Sequence, residues 1–341
     1  MRTLGKKVLK LTLFTTLVSA AIALVFFLVI DPSTTAHSQL NEDPLQKSYF
    51  SYLLQIVPSN FIQPFLENNV VAVAFIALFL SLATLKLKQE QKKTLHQFFS
   101  AFFAALLKMT SAIITFIPIG IWAFMTLLVR DLYSETLHLE QILLYVFCIV
   151  GANLFQGIIV LPVLLKIKGI SPLKTFRGMS KALFVAFFTK SPNAILPVAM
   201  KCAEENLNVS RKVSSFSFPL CSVINMNACA GFILITVLFA SQSHGMQFSG
   251  LEYLLWIFMA TIAAIGNAGV PMGCFFLASA FLSGMNVPLQ FMGMILPFYA
   301  LLDMLETGIN VWSDSCITSI VDKEIRETEM VPQTVGEPVS T

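Results

Sequence analysis

Charged residues are scarce in this chain. They make up 12% of its 341 residues, and 56% are hydrophobic, whereas a soluble domain has about 25% charged and 45–50% apolar residues. Two soluble domains of this composition would expose apolar runs that only lipid can solvate. The composition therefore excludes an ordinary soluble protein and indicates an integral membrane protein.

The patterns that carry enzymatic, metal or nucleic-acid chemistry are also missing. The four histidines fall in predicted loops without a metal-ligand spacing. There is no HExxH, P-loop or Ser/His/Asp arrangement, and no aromatic residues alternate with the basic clusters. These absences argue against an enzyme, a resident cofactor and a nucleic-acid partner.

The sequence contains no CxxC pair. All six cysteines occur singly and most lie in apolar surroundings, which predicts buried thiols. They are Cys148, Cys202, Cys221, Cys229, Cys274 and Cys316.

Long apolar runs are what the chain does contain. A membrane-spanning helix needs about 20 mainly apolar residues, and several stretches fit an all-α multi-pass protein. The first follows a basic arm, as in a signal peptide, but exceeds an h-region and has no cleavage site. The stretches are approximately Leu11–Ile30, Asn69–Leu85, Phe98–Val129, Ile142–Leu165, Phe216–Ala240 and Phe291–Ile320.

Lysine and arginine concentrate in alternate loops. Basic clusters occupy residues 2–10, 86–93 and 166–181, whereas residues 31–47 and 130–140 are mainly acidic. By the positive-inside rule, the basic loops and both termini face the cytoplasm. The C-terminal tail, rich in Glu, Pro and Thr, is expected to be solvated and largely disordered.

Two apolar segments in the second half are interrupted at their middles. Lys181–Ala199 is broken by Ser191-Pro192-Asn193, and Leu254–Leu282 is broken between Gly266 and Pro271. Each is followed by a helix that carries asparagine in an apolar setting. Ordinary kinks at Gly and Pro are one interpretation. Two re-entrant hairpins in an inverted repeat, which mark transporter sites, are the preferred one.

The last predicted helix carries a polar stripe. Asp303, Glu306, Asn310 and Asp314 recur at steps of three and four residues and therefore share one face. Charge inside a membrane costs from about 2.5 kcal/mol upward, so such groups are functional candidates. Oxygen ligands suit a hard monovalent cation or an ammonium group. The alternative is a structural ion pair of Lys190 with Glu306 or Asp303.

Four short motifs occur in an order and spacing that resemble those of a known family. They are Thr189–Asn193 with Leu196-Pro197, Asn225-Met226-Asn227-Ala228-Cys229, Ala264–Pro271, and Leu302-Asp303-Met304 through Thr307 with Asn310-Val311 and Asp314. Together they are similar to the hairpin tips, the NMDGT motif and the final helix of the dicarboxylate/amino acid:cation symporter family, the glutamate transporter homologues.

The resemblance implies a homotrimer in which each protomer has a scaffold and a mobile transport domain. Residues 1–165 would form scaffold and transport-domain helices, residues 166–320 the transport core, and residues 321–341 a cytoplasmic tail. The chain would couple sodium or protons to amino-acid uptake across the cell inner membrane, with Na⁺ as coupling ion and no cofactor.

The resemblance also assigns site residues. Asp303 would bind the substrate's amino group and Asn310 its α-carboxylate, while backbone between Val270 and Gly273 closes over the substrate. A sodium ion would use Asn225, Asn310 and Asp314. The full substrate set is Ser191, Cys229, Val270, Gly273, Asp303, Glu306, Thr307 and Asn310.

Two departures from the family pattern bear on function. Glu306 stands where the family has an arginine that clamps an acidic side chain, so a neutral or cationic amino acid is expected; Glu306 could alternatively carry a proton. Asn227 replaces the NMDGT aspartate, and other ligands of that sodium site fall at Thr15, Val18 and Ser19. Fewer coupled sodium ions are therefore expected.

The resemblance begins at what would be the family's third spanning helix. Either upstream residues exist, or the chain is a natural truncation with weakened scaffold contacts. Pro192 also removes a backbone N–H from the first hairpin tip. These features favour a second hypothesis, a truncated and decayed family member that folds without transporting.

Overall fold

The computed structural model describes residues 2–32, 57, 58, 60–133 and 139–330, and within them the chain forms helices and no strand. The helices are α1 Arg2–Ile30, α2 Gln63–Leu66, α3 Val70–Thr84, α4 Gln89–Thr115, α5 Ile117–Tyr133, α6 Leu139–Phe155 with a π-helical turn Gln156–Val160, α7 Leu161–Ile167, α8 Pro172–Thr189, α9 Leu196–Leu207, α10 Arg211–Ile224, α11 Asn227–Ser243, α12 Gly250–Gly266, α13 Gly273–Gly284 and α14 Gln290–Met330.

Five helical stretches in the described part of the chain are long and apolar enough to cross a membrane. The predicted all-α, multi-pass architecture is therefore confirmed. The stretches are Thr3–Ile30, Gln89–Thr115, Glu140–Ile167, Arg211–Ser243 and Gln290–Thr328.

The predicted single span Phe98–Val129 is wrong. Helix α4 begins earlier, at Gln89, and ends at Thr115, and α5 starts after a turn at Phe116. Pro118 has no N–H to donate back into α4, so the helical ladder cannot continue through it. None of the residues of α4 is buried, and the helix packs only lightly on α5.

The predicted span Phe216–Ala240 is also interrupted. Helix α10 ends at Ile224, and Asn225 and Met226 are non-helical, with ψ near +66° and +61°. Helix α11 then runs through the centre of the molecule and is buried from Asn227 to Gln242. Its apolar surface all round explains this position. Unwound backbone at such depth is tolerated because protein surrounds it.

The two predicted hairpins are confirmed. Helices α8 and α9 are separated by residues 190–195, and α12 and α13 by residues 267–272. Ser171 caps α8 ahead of Pro172, and Ser249 with Glu252 forms a capping box at the start of α12. With 12 to 18 residues, each of these helices is shorter than the roughly 20 residues needed to span.

Helix α14 extends beyond the predicted span, which ends at Ile320, and includes the first residues of the predicted tail. The prediction of disorder from residue 322 onward is wrong for residues 322–330, which are helical. Polar contacts hold this end: Asp322 accepts hydrogen bonds from the backbone N–H and hydroxyl of Ser210, at 2.9 and 2.7 Å. Residues 331–341 lie outside the described residues.

Basic and acidic side chains gather at one end of the molecule. Lys7 and Lys168 form ion pairs with Glu324 at 3.0 and 2.7 Å, and Lys323 Nζ donates to the Lys168 carbonyl at 2.8 Å. These contacts bring the start of α1, the loop before α8 and the end of α14 together. The charge pattern predicts the same side for these three segments.

Candidate functional site

A small cavity lies where the two hairpin tips, the start of α11 and the middle of α14 meet. The space open to the centre of a water molecule is about 10 Å³, roughly what one bound water requires. An amino acid can enter only if the lining elements separate. The lining residues are Lys190, Pro192, Met226, Cys229, Asn267, Gly269, Val270, Gly273, Cys274, Asp303, Glu306, Thr307 and Asn310.

Glycine at two positions of the second tip allows close packing. Gly269 has φ +68°, and a Cβ there would lie 2.9 Å from the Ser222 carbonyl oxygen and 3.0 Å from Asn193 Nδ2. The second tip thus touches Asn193 of the first tip. A Cβ at Gly273 would lie 1.5 Å from Asn267 Oδ1, so only glycine lets that amide sit here.

Two carboxylates form the acidic wall of the cavity. Asp303 and Glu306 are both buried, with Glu306 only 1% exposed. Within the described part of the chain, neither oxygen of Glu306 has a partner at hydrogen-bond geometry, although the buried Tyr299 hydroxyl lies nearby. Lys190 lines the same cavity, but no ion pair within 4.0 Å joins it to either carboxylate in the described residues. The Lys190 ammonium nevertheless lies near enough to Asp303 to attract its carboxylate electrostatically. The alternative of a structural ion pair is therefore unsupported for Glu306 and stays open for Asp303.

Asn310 connects this wall to the start of α11. Its Oδ1 accepts the backbone N–H of Ala228 at 2.9 Å, which holds the end of the broken helix in place. Its Nδ2 reaches only sulfur atoms, Met226 Sδ and Cys229 Sγ, each at 3.5 Å. Sulfur is a weak acceptor, so the amide N–H groups retain capacity for a better one.

A second polar cluster lies two turns further along α14. Asn225 Nδ2 donates to Asp314 Oδ1 at 2.7 Å, and the Thr15 hydroxyl lies 3.4 Å from Asn225 Oδ1 and 3.1 Å from the Thr12 carbonyl oxygen. Beside it, Asn227 Oδ1 accepts from the Thr16 hydroxyl at 2.7 Å, and Asn227 Nδ2 donates to Ser313 Oγ at 2.5 Å. The non-helical residues between α10 and α11 are thus tied to both α1 and α14.

This cluster has the donor chemistry of a hard-cation site. Carboxylate, amide and hydroxyl oxygens converge in it, and such oxygens are the ligands that hard cations prefer. Thr12 lies one turn before Thr15 and Thr16, and its buried hydroxyl lies near the Cys221 thiol, a weak partner. Of the other predicted ligands, Ser19 donates to the Asn227 carbonyl at 2.8 Å.

The prediction of six buried single thiols is wrong for two cysteines. Cys229 and Cys274 form a disulfide with Cα atoms 5.5 Å apart, although 45 residues separate them in the sequence. It joins the first turn of α11 to the first turn of α13. The other four, Cys148, Cys202, Cys221 and Cys316, are buried free thiols as predicted.

Most of the predicted substrate residues meet in the cavity. Cys229, Val270, Gly273, Asp303, Glu306, Thr307 and Asn310 line it. Ser191 does not; its neighbour Pro192 does, and the Ser191 hydroxyl accepts the Ala194 N–H at 3.4 Å.

The predicted sodium residues also come together, since Asn225 pairs with Asp314 and Asn310 holds the next residues of the broken helix. Sequence reasoning missed Thr16, Ser313, Asn267 and Cys274. The signals available for them were neighbouring positions: Thr16 and Ser313 lie next to the predicted Thr15 and Asp314, while Asn267 lies in the second tip motif and Cys274 follows Gly273.

The fold and the cavity define a class of protein. It is a multi-pass helical membrane protein in which two helical hairpins, each with a non-helical tip, meet at a buried polar site. Residues 1–324 match the model of the sodium:dicarboxylate symporter family. The chain belongs to this family, whose members are transporters and not enzymes.

Individual relatives carry names of amino-acid transporters. The chain is 30% identical over 235 residues to glt-4 of Caenorhabditis elegans, provisionally named a sodium-dependent excitatory amino acid transporter; the match covers 69% of this chain and 47% of that protein. It is 26% identical over 262 residues to neutral amino acid transporter B(0) of Homo sapiens, covering 76% and 48%. It is 27% identical over 248 residues to neutral amino acid transporter A of Bos taurus, covering 72% and 47%. The matched regions span about half the length of these relatives.

Proposed function

We propose that this chain is a secondary active symporter that couples sodium, or protons, to the uptake of an amino acid, neutral or cationic instead of acidic. The observation that carries the proposal is the pair of buried carboxylates, Asp303 and Glu306, which share one small cavity with the amide of Asn310. An amino acid presents an ammonium and a carboxylate, and this wall offers an acceptor and a donor for them.

Each end of the substrate has its own group in this proposal. Asp303 accepts hydrogen bonds from the ammonium, which are strong because both partners are charged. Asn310 Nδ2 exchanges its weak sulfur contacts for an oxygen of the α-carboxylate. Thr307 and the backbone between Val270 and Gly273 close the remaining side when the second tip is shut.

Glu306 sets the preference for the side chain. A buried carboxylate repels the second carboxylate of aspartate or glutamate and attracts a cationic side chain. It also accepts a hydrogen bond from a neutral polar side chain. The name of one relative, neutral amino acid transporter B(0), supports a neutral amino acid as substrate. Glu306 is the reason for including cationic amino acids.

The coupling ion in this proposal binds at Asn225, Asn310 and Asp314. No resident cofactor is required, and Na⁺ is the coupling ion. Asn227 already exchanges hydrogen bonds with Thr16 and Ser313. Its amide carries no charge to attract a further cation, which supports fewer coupled sodium ions.

The assembly follows from family membership as a proposal. The chain forms a homotrimer in the cell inner membrane, in contact with lipid and without a nucleic-acid partner. Residues 1–165 supply scaffold and transport-domain helices, residues 166–320 supply the transport core, and residues 321–341 lie on the cytoplasmic side.

The competing function is a decayed family member that folds without transporting. Pro192 at the first tip and Asn227 beside the cation cluster favour it, because one lacks an N–H and the other lacks a charge. Glu306 is compatible with both functions.

The test is uptake into proteoliposomes of a labelled amino-acid panel under imposed sodium or proton gradients, with the native chain and Glu306→Gln. We expect gradient-driven uptake of neutral or cationic amino acids, and Glu306→Gln should lose the cationic ones first. Strong competition by aspartate would refute the selectivity. No uptake under any gradient, from protein shown to be folded, would favour the decayed member.

A further inference from the structure

We propose that the reduced form of this chain binds one thiophilic divalent cation of the zinc class between Cys229, Cys274 and Glu306. The three residues come from three elements, the first turn of α11, the first turn of α13 and the middle of α14. Only a folded site with the second tip shut brings them together. The binding itself does not require transport, although its consequence for substrate does.

The ligand atoms are close enough for one ion. The two Sγ atoms and a Glu306 carboxylate oxygen all lie within 4.8 Å of one another. Zinc–sulfur bonds of about 2.3 Å in a tetrahedral site place two sulfurs about 3.8 Å apart. Once the disulfide is reduced, rotation of the two cysteine side chains brings the sulfurs to that separation, given Cα atoms 5.5 Å apart.

Amide donors and helix ends surround the sulfurs with partial positive charge. Asn267 Nδ2 donates to Cys229 Sγ at 3.3 Å and to Cys274 Sγ at 3.5 Å, and Asn310 Nδ2 donates to Cys229 Sγ at 3.5 Å. Both cysteines lie in the first turn of a helix, where the macrodipole favours negative charge. Hydrogen bonds of this kind orient the ligands in metal sites.

Glu306 is the independent observation that points to a cation. Its carboxylate is 1% exposed, and neither oxygen has a partner at hydrogen-bond geometry among the described residues. A buried carboxylate is costly unless it is paired or coordinates a metal. Two thiolates and one carboxylate leave the fourth position of a tetrahedral ion open to water on the cavity side. Substrate and metal ion would occupy the same space and exclude each other.

The redox state decides whether the site exists. Thiol–disulfide exchange with an external dithiol breaks the Cys229–Cys274 bond, and the dithiol is oxidised to its own disulfide. The ion then binds as the two thiols release their protons. In the oxidised chain both sulfurs are committed to each other, so the oxidised protein serves as an internal control.

The experiment is a titration of purified, detergent-solubilised full chain with Cd²⁺ under anaerobic conditions. The protein is first reduced with a phosphine, which becomes the phosphine oxide, and the cadmium–thiolate charge-transfer absorbance is recorded in the ultraviolet. We expect saturation at about one Cd²⁺ per chain for reduced protein and no such band for oxidised protein. Excess Zn²⁺ should displace the Cd²⁺.

Matched variants identify the ligands. Cys274→Ser should lose the saturable band, whereas Cys202→Ser, which changes a buried free thiol elsewhere, should keep it. Glu306→Gln should weaken binding about tenfold or more while the band persists. Circular dichroism and gel filtration show that each variant is folded.

The proposal is overturned if folded, reduced protein gives no saturable band, or if Cys274→Ser binds as the native chain does. A protein that binds Cd²⁺ but moves no amino acid would leave this site standing and would refute the symporter. Uptake by the reduced protein that persists unchanged at saturating Cd²⁺ would refute the exclusion of substrate by the ion.

Discussion

Two polar layers on α14 differ in how their carboxylates are satisfied. Glu306 and Asp314 are eight residues apart, about 12 Å along the helix, and both are buried, at 1% and 3% exposure. Asp314 accepts a hydrogen bond from Asn225 inside a network that reaches α1. In the residues that the structure describes, neither oxygen of Glu306 has a partner at hydrogen-bond geometry; the Tyr299 hydroxyl is the polar group nearby.

The difference separates a site that the fold has already organised from one that awaits a ligand. Buried polar groups are nearly always hydrogen-bonded, so an unpartnered carboxylate needs a specific explanation. Intramembrane ionisable groups are costly and are retained for function. Asp314 therefore holds the broken helix, while Glu306 belongs to the layer that, in the proposed function, a substrate or an ion completes.

The largest effect is expected at Asp303. Asp303→Asn removes the only charge that the proposed function gives to the substrate ammonium, and truncating a buried charge pair costs about 2–5 kcal/mol. Uptake at low substrate concentration should fall about 100-fold or more, measured in proteoliposomes. Asp322→Asn, at the other end of α14, is the matched control and should leave uptake nearly unchanged. Equal losses in both would show a general defect of α14.

Asp314 should respond to the loss of its hydrogen bond. Asp314→Ala leaves the Asn225 amide buried without an acceptor, which should lower the free energy of unfolding by about 1–3 kcal/mol. Asp314→Asn keeps an acceptor oxygen and should retain most of that stability while losing the stimulation of uptake by sodium. Thermal unfolding in detergent and sodium-dependent uptake separate the two effects. Full stimulation of uptake by sodium in Asp314→Asn would show that the charge of Asp314 is not needed to bind the cation.

Replacing Glu306 should raise the free energy of unfolding, whereas replacing Asp314 with alanine should lower it. A buried polar group without a hydrogen-bond partner is costly, so an apolar side chain of similar volume in its place should be neutral or stabilising. Glu306→Met should therefore raise the free energy of unfolding by about 1 kcal/mol and abolish uptake of cationic amino acids. The same thermal unfolding measurement applies. A clear destabilisation would reveal a bonding partner for Glu306 and would erase the contrast with Asp314.

Sequence reasoning succeeded where a pattern is local. The hairpins were predictable because Pro192 and the Gly266–Pro271 run interrupt short apolar segments, and the polar face of α14 follows from helical periodicity. The break at Asn225-Met226 was missed, because it depends on a tertiary bond from Ala228 to Asn310. Local apolarity alone favours a continuous helix there.

Long-range pairing lay beyond the same reasoning. Cys229 and Cys274 lie on different helices, and neither spacing nor composition connects them. The helical end of α14 was missed for a similar reason, since Glu324 is stabilised by Lys7 and Lys168 from distant segments. Composition predicts a solvated tail, whereas these ion pairs favour a folded end.

The smallest expected effect tests how the satisfied layer is joined to α1. Thr16→Val preserves the shape of the side chain and removes its hydroxyl, which lies 2.7 Å from Asn227 Oδ1 and 2.8 Å from the Thr12 carbonyl oxygen. Loss of one buried hydrogen bond should lower the free energy of unfolding by about 1 kcal/mol. Thr15→Val is the matched neighbour. The Thr15 hydroxyl also faces the Thr12 carbonyl, at 3.1 Å, but its contact with the asparagine, Asn225 Oδ1, is longer at 3.4 Å, so its loss should cost less. Equal losses in the two variants would mean that burial of a hydroxyl, and not the geometry of its bond, stabilises this layer. A larger loss in Thr16→Val, measured by thermal unfolding with uptake retained, would show that Asn227 serves in this protein as an anchor for α1.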